Sequence, residues 1–212
     1  MGRPPTKLAE ALRALRRRMG LTMSEVSRRT GVAISTLSKV ESGKMSLTYD
    51  KLTQLCQGLG VDFADLLGGP SPTQGDTSAK GRRSINRIGD GVVVRTEHYD
   101  HCYLSTDVSG KAFVPLVVSP QSRSFSDFPD YVRHGGEEFV YVLEGAVEVH
   151  SEYYTPVILQ AGESMWMDSQ MGHAYVAHGT APCRVIAICS GKETELIDAV
   201  NAVDQHASRK PE

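Results

Sequence analysis

A chain of 212 residues, 40% hydrophobic and 23% charged, is long enough to bury a sizeable core and is read as two domains. No apolar run reaches the ~20 residues of a membrane helix, and the basic start around Arg3 lacks a signal-peptide apolar core, so a cytoplasmic protein is expected. The net charge of -2 hides an asymmetry: residues 1–68 hold eleven Lys and Arg against six Asp and Glu, or +5, and the remainder twelve against nineteen, or -7. Such a split points to a nucleic-acid partner for the first part alone.

Residues 7–67 read as helical throughout. Leu8, Leu12, Leu15 and Met19 recur along one helical face, with Arg13, Arg16 and Arg17 outside it. Thr22 followed by Glu25 is a capping box that opens a second helix, and Gly31 supplies the left-handed stop. A third helix spans 33–41 with Leu37 and Val40 inward and ends at Ser42-Gly43. Thr48 caps a fourth, with Leu52, Leu55, Cys56 and Leu59 inward, and a short fifth runs from Asp62 to Leu67.

Two helices joined at Gly31-Val32 can lay the second in a DNA major groove while the first braces the backbone. With Leu37 and Val40 buried, the outward faces belong to Ile34, Ser35, Thr36, Ser38 and Lys39. Hydroxyls can meet donors or acceptors on base edges, and Ile34 or the Thr36 methyl can pack on a thymine methyl. Arg28, Arg29 and Lys44 suit phosphates, which supply affinity and salt dependence but no sequence choice.

From Leu21-Thr-Met-Ser-Glu25 through Gly31 to Gly43 and Leu59-Gly-Val61, this segment resembles the Xre-type, lambda-repressor-like helix-turn-helix domain over about sixty residues. Met23 stands where that family often has a glutamine that clamps the DNA backbone. Ala33 stands where a serine commonly caps the recognition helix, a loss of about 1 kcal/mol. The resemblance implies an operator-binding regulator that acts as a homodimer on paired half-sites.

Residues 69–90 begin with Gly-Pro-Ser-Pro-Thr-Gln-Gly-Asp-Thr-Ser-Ala and read as a flexible linker. Lys80, Arg82, Arg83 and Arg87 at its end read as a solvated edge, with phosphate contact as the alternative. Beyond Gly91 the runs become short, β-branched or aromatic, as in 112–118, 139–143, 147–150 and 184–189, the pattern of an antiparallel sandwich or barrel. Leu196, Val200 and Val203 fall on one side of a helix in 193–212, whose end reads as a frayed tail. Cys56, Cys102, Cys183 and Cys189 have no Cys-x-x-Cys spacing and read as free thiols.

The richest stretch for chemistry runs from His134 to His173. In one extended run His134, Gly136, Glu138, Val140 and Val142 would share a face, and His173 could join from a neighbouring strand. Glu138 to Gly145 and Gly162 to His173 resemble the two cupin motifs, over residues 112–190. The first motif's leading histidine would fall at Val132 and the second motif's proline at Asp168. The resemblance implies a metal site of His134, Glu138 and His173. Two imidazoles and a carboxylate suit Fe(II), with Zn, Mn or Ni also compatible, and a metal-free polar pocket is the alternative. Tyr175 shares parity with His173; Val132, Val140 and Tyr175 are expected to line the effector pocket. His98, His101, His150 and His178 have no motif support and are expected at the surface or locally bonded.

The expected architecture is α+β and multi-domain: an all-α five-helix helix-turn-helix domain at 1–68, a linker at 69–90, an all-β cupin (double-stranded β-helix) barrel at 91–192, and a C-terminal helix and tail at 193–212. The layout resembles the bacterial Xre-cupin regulators, which implies a non-enzymatic DNA-binding protein whose barrel senses a small molecule. It also resembles the hydroxypropylphosphonate epoxidases, non-haem iron enzymes, through His134-x-x-x-Glu138, Val114-Pro-Leu-Val-Val118 and Phe139 to Gly145. The epoxidases' tyrosine cluster is matched here only by Tyr99, between His98 and His101, and their phosphonate-binding lysine falls at Gly20. The regulator reading is therefore preferred, with the iron oxidase as the alternative.

Overall fold

The computed structural model describes residues 7–68 and 81–190. Lys80, most of the expected linker and the expected helix in 193–212 lie outside the described residues.

Five helices come first: α1 Lys7–Arg18, α2 Met23–Thr30, α3 Ile34–Glu41, α4 Tyr49–Leu59 and α5 Phe63–Leu66. Their local causes are those the sequence suggests. The Thr22 backbone N–H donates to Glu25 Oε2 at 2.9 Å while the Glu25 N–H donates to Thr22 Oγ1 at 3.2 Å, so two otherwise unpaired donors are satisfied at the start of α2. Gly31 ends α2 at φ 71°, a conformation glycine adopts without a Cβ penalty. At α5 the box is built from Asp62 and Asp65. Thr48 departs from expectation: it holds the N-cap position of α4, but its side chain makes no cap hydrogen bond, and neither does that of Ala33 before α3.

Leu8, Leu12, Leu15, Val26, Leu37, Val40, Leu52 and Leu55 form the helical core. Burying such side chains contributes about 1.5–3 kcal/mol each before conformational entropy is set against it. One buried charge braces this core. Glu41, 4% exposed, accepts from Arg16 Nε at 2.7 Å and Nη2 at 2.9 Å, a bidentate pair that ties α1 to the end of α3.

The β half contains β1 Val92–Arg95, β2 Tyr99–Tyr103, β3 Phe113–Pro120, β4 Glu137–Glu144, β5 Ala146–Ser151, β6 Val157–Gln160, β7 Ser164–Asp168, β8 His173–Ala177 and β9 Arg184–Ser190. They form a six-stranded sheet, β1-β2-β3-β9-β4-β7, and a three-stranded sheet, β6-β5-β8, with every pairing antiparallel. Alternation sets the faces: Glu138, Val140 and Val142 point inward from β4 while Phe139, Tyr141 and Leu143 point out. This is the expected all-α domain followed by an all-β barrel.

Two expectations are corrected. The extended run does not reach back to His134, because Gly136 at φ 88° breaks it and β4 begins at Glu137. Residues 81–90 are tied to the barrel: Arg82 donates to the Ser109 and Gly110 carbonyls, and Ser84 Oγ to Asp107 Oδ1 at 2.5 Å. Arg82 is thereby committed to protein carbonyls, while Arg83 and Arg87 are exposed.

The two halves meet along a narrow seam. Phe63 packs on Tyr103 with ring centroids 5.1 Å apart, and Tyr49 lies 6.4 Å from the same ring. Asp62, the cap of α5, also accepts from the Gly110 N–H at 2.8 Å. None of the described helices is long and apolar enough to cross a membrane.

Candidate functional site

The helical half offers a surface and the barrel a pocket. On α3, Leu37 and Val40 are 1% and 0% exposed, which turns Ile34, Ser35, Ser38 and Lys39 to solvent, with Thr36 half-buried. Arg28 and Arg29, in the last turn of α2, and Lys44, just past α3, are exposed on either side. Ile34 is 48% exposed at the start of the helix, an apolar side chain with no core to fill.

In the barrel three elements bring the triad together. His134 comes from the loop before β4, Glu138 from β4 and His173 from β8, and one donor atom from each lies within 4.8 Å of the others. The break at Gly136 leaves His134 free to fold back over its own strand, so that its Nε2 meets Glu138 Oε2 at 3.0 Å. His173 Nε2 lies 3.6 Å from the same oxygen. Val132 and His173 exchange both backbone hydrogen bonds at 3.0 Å, which seats the loop against β8.

The hydrogen bonds around the triad orient it. His173 Nδ1 lies 2.9 Å from the Met171 carbonyl and His134 Nδ1 3.4 Å from that of Gly135, so both Nε2 atoms face the carboxylate. The Tyr175 hydroxyl donates to Glu138 Oε1 at 2.8 Å, leaving Oε2 toward the histidines. Tyr99 supports this arrangement by accepting the Tyr175 backbone N–H at 2.9 Å.

Burial pushes the Glu138 carboxyl up, but the His134 hydrogen bond, the neighbouring histidine charges and the Tyr175 hydroxyl outweigh it and hold the group below its ordinary range. Burial lowers His173. A carboxylate facing two imidazole nitrogens, each ring held by a carbonyl on its far side, is the donor set a divalent metal needs. The residues present therefore fit such an ion.

The cavity is also lined by Val132, Tyr175, Leu116, Val118, Tyr99, His101, Cys189 and, from the helical half, Thr48 and Tyr49. Val140 was expected here and does not line it; the residue is fully buried in the barrel core. His101 was expected at the surface or locally bonded. It is 7% exposed, its Nδ1 has no hydrogen-bond partner among the described residues, and burial pushes its pKa down to about 4. The sequence carried a signal for this, since Tyr99, His101 and Tyr103 alternate along β2 and are all buried. Of the other three, His98 is bonded to Ser122 Oγ at 3.0 Å and His150 lies 3.0 Å from Glu148, while His178 is at the surface, 3.7 Å from Glu148. Cys102, Cys183 and Cys189 are free thiols.

Tyr49 and Cys189 were not singled out by sequence. The Tyr49 ring stands edge-on to His134 with centroids 4.6 Å apart, and Cys189 lies opposite Glu138 across the β4–β9 pair. Tyr49 gives no periodic signal of this role, because the contact joins two domains.

Comparison with known proteins gives a helix-turn-helix match over residues 12–66 and a cupin-domain match over 125–189. An uncharacterized HTH-type transcriptional regulator, y4dJ of Sinorhizobium fredii, is 42% identical over 53 residues, 25% of this chain and 69% of that protein. (S)-2-hydroxypropylphosphonic acid epoxidase of Streptomyces wedmorensis is 24% identical over 202 residues, 86% of this chain and 95% of the enzyme. Among solved structures, an HTH_3 family transcriptional regulator from Vibrio cholerae shares the fold, with a TM-score of 0.55 at 20% identity, over 89% of this chain and 97% of that one. With α3 and its neighbours exposed in helix-turn-helix geometry and the barrel following them, the chain belongs to the helix-turn-helix transcriptional regulators and carries a C-terminal cupin domain.

Proposed function

We propose that this regulator, acting in the cytoplasm as a homodimer and not as an enzyme, binds a duplex operator through α3, and that its barrel senses a small molecule at a divalent metal. The observation that carries the DNA reading is the exposed face of α3, where Ile34, Ser35, Ser38 and Lys39 sit between Arg28, Arg29 and Lys44 while Leu37 and Val40 hold the helix down. Ile34, Ser35, Thr36, Ser38 and Lys39 would read base edges; Arg28, Arg29 and Lys44 would contact phosphates. Selection of sheared genomic DNA on the immobilised protein at low salt tests this: enrichment of discrete fragments is expected, and no retained fragment, with or without metal and metabolite extract, would sink it.

His134, Glu138 and His173 would hold the metal. Bound there, the ion supplies a Lewis-acidic centre with open positions that a small ligand's oxygen can occupy. Tyr175 orients the carboxylate, and Val132, where the cupin motif's leading histidine would fall, leaves one side apolar. One equivalent of divalent metal per chain is expected, abolished by His134→Ala and by His173→Ala; a wild-type chain that takes up none retires the metal.

For the homodimer, the outer face of the six-stranded sheet is the supporting surface. Trp166, Phe139, Ile188 and Pro115 form one row across β7, β4, β9 and β3, and Tyr141, Ile186 and Val117 the next. At the rim, Arg184 and Glu144 form an exposed pair at 3.8 Å within the chain, which a second copy related by a two-fold axis can exchange for pairs across the contact.

A second reading, a non-haem iron oxidase, is favoured by the triad and by the epoxidase relative. Oxygen uptake by the Fe(II)-loaded chain with (S)-2-hydroxypropylphosphonate separates the two. The regulator reading expects no more uptake than His134→Ala gives, and turnover would favour the oxidase.

A further inference from the structure

The pocket as it stands is too small for an organic effector. Its cavity is about 40 Å³, room for about three waters at 10–15 Å³ each, whereas small-molecule sites run to about 300–1,000 Å³. Something must move to admit a ligand. The walls contributed by β2, β3, β4, β8 and β9 are locked in continuous hydrogen-bonded sheets. Tyr49 is different: it belongs to α4, it is 8% exposed, and its ring is inserted against His134 from the other domain across a narrow seam. Facing the same cavity, His101 holds a buried ring nitrogen with no partner. Buried polar groups are nearly always paired, and His101, which both lines this cavity and keeps a ring nitrogen unpaired among the described residues, is where a ligand's polar group would be met.

The chemistry of that ligand follows from charge. A divalent ion with one carboxylate among its protein ligands leaves a single positive charge in a buried site, which a monoanion neutralises. One ligand oxygen would meet the ion and a second polar atom would meet His101, so the ligand is short and carries oxygens at both ends. The space given up by a phenol ring suits an acid of a few carbons.

We propose that the pocket is a composite, interdomain ligand site: a small carboxylate binds between the metal at His134, Glu138 and His173 and the imidazole of His101, taking the space that the Tyr49 ring now fills. This rests on the sensor reading above. Ligand and helical domain then compete for one pocket. Tyr49 is the first residue of α4, and a short loop from α3 leads into it, so displacing the ring changes how the DNA-reading helix is held against the barrel.

The test uses the full chain loaded with Co(II), titrated with lactate and pyruvate and followed by the Co(II) absorption spectrum, with amide exchange read in parallel. The acid is expected to change the spectrum and to speed exchange at Leu52, whose N–H donates to the Thr48 carbonyl in the first turn of α4. On samples matched for bound Co(II), Tyr49→Ala should bind the acid at least tenfold more tightly, because the competitor is gone, and His101→Phe at least tenfold more weakly. No spectral change with either acid, equal affinity in Tyr49→Ala, or unaltered α4 exchange at saturation would each overturn the proposal. Should Tyr49→Ala fail to fold, the wild-type exchange data decide alone. No step involves DNA, so failure here with genomic fragments still retained removes the composite site only, and acid binding without DNA retention removes the regulator reading only.

Discussion

The two oxygens of Glu138 have separate partners, Tyr175 on one and the two histidines on the other, and this division lets a buried carboxylate stay anionic. His101 is the opposite case, an imidazole kept neutral by burial, with a pKa near 4 against 6.5 when free. The folded chain refuses a proton there that the unfolded chain accepts, so this contribution to stability is full above about pH 6.5 and is lost as pH falls toward 4. Two to three pKa units correspond to about 3 kcal/mol. Thermal melts of the metal-free chain between pH 7.5 and 4.5 should show a falling midpoint, and His101→Phe should flatten that fall. A slope unchanged by the substitution would show that other groups carry it.

Among the elements, α2 and α4 approach so closely that one residue sets their spacing. A Cβ on Gly58 would lie 2.5 Å from the Arg29 carbonyl oxygen and 2.6 Å from Thr30 Cα, both backbone atoms of the α2 terminus. Gly58→Ala should therefore destabilise the helical half by about 1–3 kcal/mol through overpacking. It should also weaken DNA binding, because Arg28 and Arg29 shift with that terminus; an unchanged melt would show that the helices can separate at little cost. Glu41→Ala would leave Arg16, only 18% exposed, without its carboxylate and with the Leu21 carbonyl alone, and a loss of about 3 kcal/mol is expected from the same melts. The helices themselves were legible in sequence because their causes are local: the Thr22 and Glu25 caps, the stop at Gly31 and the spacing of Leu8, Leu12 and Leu15. The Thr48 side-chain cap was not realised, since residue type allows a cap bond without compelling it. In the barrel, alternation placed Glu138 inward. The turn at Gly136 was missed because glycine permits φ > 0 without announcing it, and the His134 to Glu138 contact survived because the loop folds back. His101 was marked only by its alternation with Tyr99 and Tyr103 along β2. Tyr49 had no local signal at all, because its burial depends on α4 meeting the barrel, a contact distant in sequence.

At the scale of the whole molecule, the charge split between the halves matches their surfaces. The positive half carries Arg28, Arg29, Lys39 and Lys44 outward, and the negative half buries a carboxylate at its centre. The apolar rows on the outer sheet give the proposed homodimer a testable contact. Tyr141→Lys should convert a dimer to a monomer in light scattering, and an unchanged mass would move the contact elsewhere. The claim on which the rest stands is that α3 reads duplex DNA, and affinity for a selected genomic fragment across salt, in wild type and in Lys39→Ala, tests it most directly. A steep linear fall of log affinity with log salt is expected in the wild type, and at least fivefold weaker binding in Lys39→Ala with the barrel still folded. Wild-type affinity that is indifferent to salt, or equal in the two proteins, would contradict it.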